Sequence, residues 1–103
     1  MMQRKVHINV PSEKIAAFCH SNFIKKLSLF GSVIHNNFGP NSDIDILVEF
    51  QPDHIPGFFK LARLRRDLSQ IFNGRKVDLL TPEGISQYFR DDVLADAVVQ
   101  YAE

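Results

Sequence analysis

The chain has 103 residues, of which 45% are hydrophobic and 23% charged, with a single cysteine. That length suits one domain over residues 1–103 and leaves no room for a second core, and one cysteine excludes an intrachain disulfide and suits a reducing cytoplasm. Twelve basic residues against twelve acidic ones give zero net charge, which argues against direct nucleic-acid binding, and neither a signal-type leader nor an apolar run of ~20 residues points to export or a membrane.

In chain order, Pro11-Ser12-Glu13 reads as a helix start with Ser12 as N-cap. Ile15, Ala16, Cys19 and Phe23 then recur at helical spacing, predicting a helix over 12–23. Cys19 sits among apolar neighbours and reads as a packed thiol rather than a reactive one. Lys26 to Phe30 reads as a short strand ended by Gly31, Ser32 to Asn37 as one or two helical turns, and Phe38 to Ser42 as a loop. Asp43 to Phe50 is the clearest strand: Ile44, Ile46, Val48 and Phe50 form one face, and Asp43, Asp45, Leu47 and Glu49 the other. After a loop with Pro52, Pro56 and Gly57, residues Phe58 to Phe72 form a helix with apolar positions 58, 61, 64, 68, 71 and 72, closed by Asn73-Gly74. Lys76 to Leu80 is a third strand. Thr81-Pro82-Glu83 opens another helical region with Thr81 as N-cap, and a last helix is expected from Asp91 or Asp92 to Tyr101. Helices alternating with about three strands predict an α/β (α+β) domain, a small mixed sheet flanked by helices.

The chemistry concentrates in three places. Asp43 and Asp45 are two apart on a strand, so both carboxylates point the same way with Cα atoms roughly 6–7 Å apart, close enough to share a hard cation. Gly31-Ser32 supplies backbone N–H groups and a hydroxyl, the elements of a phosphate cradle; the same Ser32 could simply cap the turn. Asp78, an acid inside the apolar strand Val77-Asp78-Leu79-Leu80, joins the pair if its strand lies beside theirs. Two acids can hold one Mg²⁺; a third permits two ions, or serves as a general base.

Charge is unevenly placed. No Lys or Arg occurs from Leu27 through Phe59, while Asp43, Asp45, Glu49 and Asp53 all fall there. Basic residues cluster instead at Arg4-Lys5, Lys25-Lys26, Lys60 to Arg66 and Arg75-Lys76. On the helix, Lys60, Arg63 and Asp67 share a face that reads first as solvated and second as a nucleotide or partner contact. The four histidines show no ligand spacing. Phe89 and Tyr101 read as core or partner-interface residues.

Gly31-Ser32, Asp43-x-Asp45 and the later strand acid Asp78 resemble the nucleotidyltransferases of the DNA polymerase β superfamily. Within it, the short length and the tail Lys-Val-Asp-Leu-Leu-Thr-Pro followed by Tyr-Phe-Arg-Asp resemble the minimal nucleotidyltransferases, the antitoxin halves of prokaryotic HEPN–MNT toxin–antitoxin pairs. The resemblance spans Leu29 to Tyr101. It implies a small sheet flanked by helices, Mg²⁺ as cofactor (two ions), ATP as substrate, and transfer of AMP to a tyrosine of a HEPN ribonuclease partner in a hetero-oligomer. Carried over by position, Asp43, Asp45 and Asp78 would be the catalytic metal ligands, and Gly31 and Ser32 would hold the β/γ phosphates. Many relatives have a basic residue after the Gly-Ser pair, where this chain has His35, Asn36 and Asn37. Triphosphate charge would then be met by metal ions, backbone N–H groups or a cation such as Lys60, Arg63 or Arg66. The alternatives are an antitoxin that blocks its toxin by binding alone, and adenylylation of a small molecule, which ordinarily needs a further substrate domain.

Overall fold

The computed structural model describes residues 6–35 and 37–103; the Arg4-Lys5 cluster and Asn36 lie outside the described residues. Helix α1 spans Ser12–Ser21. Pro11, not Ser12, takes the N-cap position, and no side chain closes the first N–H groups. Ile15, Phe18 and Cys19 are its buried residues, a spacing of three and four that keeps them on one face. Phe23, at φ 56°, turns the chain into strand β1, Ile24–Phe30, two residues ahead of the predicted start. A four-residue 3-10 turn follows at Gly31–Ile34, then the loop, then β2 over Ile44–Phe50. Helix α2 covers Phe58–Ile71 and β3 covers Val77–Leu80.

The predicted last helix is corrected. Helix α3 occupies Gln87–Asp96, with the Ser86 side chain accepting from the Tyr88 N–H, and residues Val98–Ala102 form a fourth strand, β4. Along Lys26 to Leu29, β1 offers an unpaired edge, and β4 pairs antiparallel with it. Val98, Val99 and Tyr101 are β-branched or aromatic, so they suit a half-buried pleated surface better than a helix. The expected helix at Thr81 shrinks to a 3-10 turn over Pro82–Gly84.

The sheet order is β3-β2-β1-β4. β1 runs antiparallel to both β2 and β4, and β3 runs parallel to β2. Leu27 and Leu29 of β1, Ile44, Ile46 and Val48 of β2 and Val77 of β3 enter one buried cluster with Ile15, Phe18 and Cys19 of α1 and Leu64, Leu68 and Phe72 at α2. Each such aliphatic side chain contributes about 1.5–3 kcal/mol by leaving water. Both long helices therefore cover one face of the sheet, and alternation sends Phe30, Asp45 and Asp78 to the other. The apolar stripe predicted for α2 holds at 64, 68 and 72 but not at Phe58, which with Phe59 stays exposed. At 100° per residue Phe58 lies about a quarter-turn off the stripe and Phe59 nearly opposite it. Among the described residues, no helix is long and apolar enough to cross a membrane.

Candidate active site

Because β1 and β2 are antiparallel, the end of β1 abuts the start of β2, and Phe30 pairs with Asp45. The Gly31-Ser32 turn is thereby delivered beside the acid pair. Gly31 has φ +72°, and any Cβ placed on it would collide with the Asp45 carboxylate. Only glycine meets both the backbone angle and the close approach. The Ser32 hydroxyl donates to the Asp43 carbonyl at 3.4 Å, a long bond that links the turn to the start of β2. As predicted, the turn is helical, though only four residues long.

The parallel β2–β3 pair sets Asp45 directly beside Asp78. Burial pushes the Asp45 carboxyl up to about 6; the charges of Asp78 and then Asp43 add to the shift, as does a side-chain hydrogen bond with Asp78. Asp43, one residue before β2, acts on Asp45 through its charge. Its own carboxylate lies 3.7 Å from Lys76 Nζ. Among the described residues no three acidic, imidazole or thiol side chains are closed into a ready-made ligand set. The donor set nonetheless fits a hard divalent cation: carboxylate oxygens from β3 and from the start of β2, one of them pushed toward protonation by burial and then by the neighbouring acids.

The predicted cations are placed differently. Lys60, Arg63 and Arg66 line a groove of their own with Phe59, Ala62 and Arg65 on α2. That helix packs on the opposite face of the sheet from Asp45 and Asp78. The basic residues that do reach the site are Arg75 and Lys76, immediately before β3. The Arg75 Nη2 donates to the Gly39 carbonyl at 2.8 Å and the Ser42 carbonyl at 2.9 Å. Together with Asn41, Ser42, Asp43, Asn73 and Gly74, the two border a cleft of about 380 Å³. Their closeness in sequence to Asp78 was the available signal, since a residue two or three positions before a site acid on a short strand must lie near it.

Cys19 is fully buried, and burial pushes its thiol up to about 12, so it packs as the predicted apolar side chain. His35 is exposed. Tyr101 packs against the core, whereas Phe89 projects into solvent.

A mixed sheet with an acid pair opening one strand, a third acid beside it and a Gly-Ser turn against them defines a nucleotidyltransferase. Residues 12–99 match the model of the nucleotidyltransferase domain, and the chain belongs to that family. Over 93 residues it is 36% identical to a Methanocaldococcus jannaschii protein assigned as a protein adenylyltransferase, covering 90% of this chain and 97% of that one. It is 29% identical to the protein adenylyltransferase MntA of Thermococcus cleftensis, with 73% of each chain covered. Among solved structures it resembles one described as a minimal nucleotidyltransferase, at TM-score 0.70 and 28% identity over 84% of this chain and 86% of that one. A toxin–antitoxin structure containing AMP-PNP shares the fold at TM-score 0.73 and 22% identity, over 90% of this chain and 74% of that one.

Proposed function

We propose that this nucleotidyltransferase is an antitoxin that moves AMP from Mg-ATP onto a tyrosine hydroxyl of a HEPN ribonuclease toxin, and so silences it. The observation that carries this reading is the pairing of Asp45 with Asp78, with Asp43 and the Gly31-Ser32 turn at the same end of the sheet. The names of the adenylyltransferase relatives and of the toxin–antitoxin neighbours support it.

Asp43, Asp45 and Asp78 would hold Mg²⁺, which when bound neutralises phosphate charge. Gly31 and Ser32 would place the β and γ phosphates. Lys76, mostly exposed and paired with Asp43 at 3.7 Å, is free to turn to the triphosphate once Asp43 takes a cation, because exposed ion pairs of this kind are weak. The acceptor oxygen attacks the α-phosphorus, the bond from that phosphorus to the β-phosphate oxygen breaks, and pyrophosphate leaves. Asp78, the most exposed of the three acids, takes the hydroxyl proton. Positioning and charge neutralisation account for most of the rate.

A protein acceptor suits the surface. Helix α3 has no buried residue and exposes Tyr88, Phe89 and Leu94, with Val99 of β4 also exposed. The free, packed Cys19 is consistent with a reducing cytoplasm as the compartment. The test is incubation with labelled ATP, Mg²⁺ and a HEPN protein from a neighbouring gene of the source genome, the partner this reading requires, with Asp43→Ala alongside. Label on a partner tyrosine that disappears in the variant is the expected result. No transfer, with toxin inhibition surviving in Asp43→Ala, would sink the enzymatic reading in favour of inhibition by binding alone.

A further inference from the structure

The Gly39–Ser42 turn is closed by its own bonds: the Ser42 N–H donates to the Gly39 carbonyl at 3.1 Å, and the Gly39 N–H donates to the Ser42 hydroxyl oxygen at 2.9 Å. Arg75 ties this small unit to the segment that leads into β3. One terminal nitrogen of its guanidinium reaches both turn carbonyls, and the group lies 4.5 Å from the centre of the Phe38 ring. Its Nε is buried, with no hydrogen-bond partner among the described residues. The Arg75 backbone is held in turn, since the Ser69 hydroxyl donates to its carbonyl at 2.6 Å. Asp43 follows the turn directly, and Asp78 lies three residues after Arg75.

We infer that Arg75 is a positioning residue for the acidic site. Its guanidinium clamps the turn that delivers Asp43 and Asp45 onto the segment that delivers Asp78, and thereby sets the carboxylate spacing on which cation binding depends. This rests on the reading of the three acids as a cation site. An unpaired buried Nε is a cost that the surrounding geometry sustains. A planar, forked group that stacks on a ring while donating to two carbonyls is a task for arginine rather than lysine. The polar bonds of the clamp are distinct from what holds the fold together: the Ile44 N–H donates to the Lys76 carbonyl at 2.9 Å where β2 and β3 begin to pair, and the core is built by apolar side chains, with Phe38 packed against it. Loss of the guanidinium therefore frees the turn while the ladder and core persist.

The experiment titrates Mn²⁺ alone into the full chain by calorimetry, comparing wild type, Arg75→Ala, Arg75→Lys and Ile15→Val, the last a core change on α1 remote from the site. Amide exchange of residues 39–44 is followed in the same proteins. Residues that orient metal ligands change affinity by roughly 10–100-fold. The expected result is Mn²⁺ binding weakened about tenfold or more in Arg75→Ala, partly in Arg75→Lys and not in Ile15→Val, with faster exchange at the turn. A folded Arg75→Ala with wild-type affinity overturns the inference, as does equal weakening in Ile15→Val. If Arg75→Ala does not fold, wild-type affinity in Arg75→Lys overturns it. Absence of Mn²⁺ binding to the wild type removes the cation-site reading and the clamp together, an outcome distinct from a wild type that binds and variants that bind equally well.

Discussion

Asp45 and Asp78 stand side by side on the parallel strands β2 and β3, and the Asp45 carboxyl is raised to about 6 by burial and by the charges of Asp78 and Asp43. On the proposed reading of the acids as a cation site, a bound cation would offset the burial and the neighbouring charge that disfavour the ionised Asp45. The same relationship makes the metal-free protein less stable once both are charged.

The sign of that effect is fixed by the direction of the shift. A carboxyl raised in the folded state contributes stability in full below its unfolded value near 4 and loses it as pH rises through about 6. In chelator, wild-type Tm is expected to fall between pH 4 and 7 relative to Asp45→Asn. The difference is on the order of 1 kcal/mol, because solvent screens this half-exposed group. Thermal unfolding against pH measures it; parallel curves would refute the coupling. The variant loses transfer activity even where it is more stable.

Gly31→Ala faces both a left-handed backbone angle and the Asp45 carboxylate. A destabilisation of about 1–3 kcal/mol is expected, from the strained angle and the contact together. Pairing it with Asp45→Ala removes the contact but not the angle, so the double variant should recover only part of the loss. Chemical denaturation of the four proteins as a cycle reads the coupling directly.

Lys76→Glu should leave stability within about 0.5 kcal/mol, because an exposed ion pair contributes little. Its effect belongs on the nucleotide: KM for ATP is expected to rise by about tenfold or more, with a smaller change in kcat. Steady-state transfer kinetics at fixed Mg²⁺ decide this, and an unchanged KM would return the search for the phosphate-binding cation to another residue.

Removal of residues 98–103 strips β4 from β1 and opens a sheet edge along Lys26 to Leu29. Exposed edges pair with other chains. The truncated protein is expected to self-associate at micromolar concentration and to unfold without a sharp transition, as judged by light scattering and thermal denaturation. A monomeric, cooperatively folding truncation would show β4 to be dispensable.

Much of the site was readable from local spacing. Asp43 and Asp45 share a direction because strand side chains alternate, and Gly31-Ser32 announces a turn at the end of an apolar run. The cations were not readable in this way. Lys60, Arg63 and Arg66 looked suitable by composition, but α2 must face the sheet with Leu64, Leu68 and Phe72, and that packing carries them to the wrong side. Arg75 meets carbonyls 33 and 36 residues earlier in the chain, a distance over which no periodicity speaks. The C-terminal strand was missed for a similar reason: Val98 to Ala102 becomes a strand because β1 offers it an edge.

The sequence by itself determined the chemical identity of the protein: an acid pair, a third acid and a glycine turn, each defined by neighbours a few residues away. Tertiary structure alone decided that Asp78 lies beside Asp45, that Gly31 packs on the Asp45 carboxylate, and that Arg75 joins the two acid-bearing segments. Local spacing follows from backbone geometry within one element. Contacts between elements follow from which apolar faces bury together, and only the folded chain settles that.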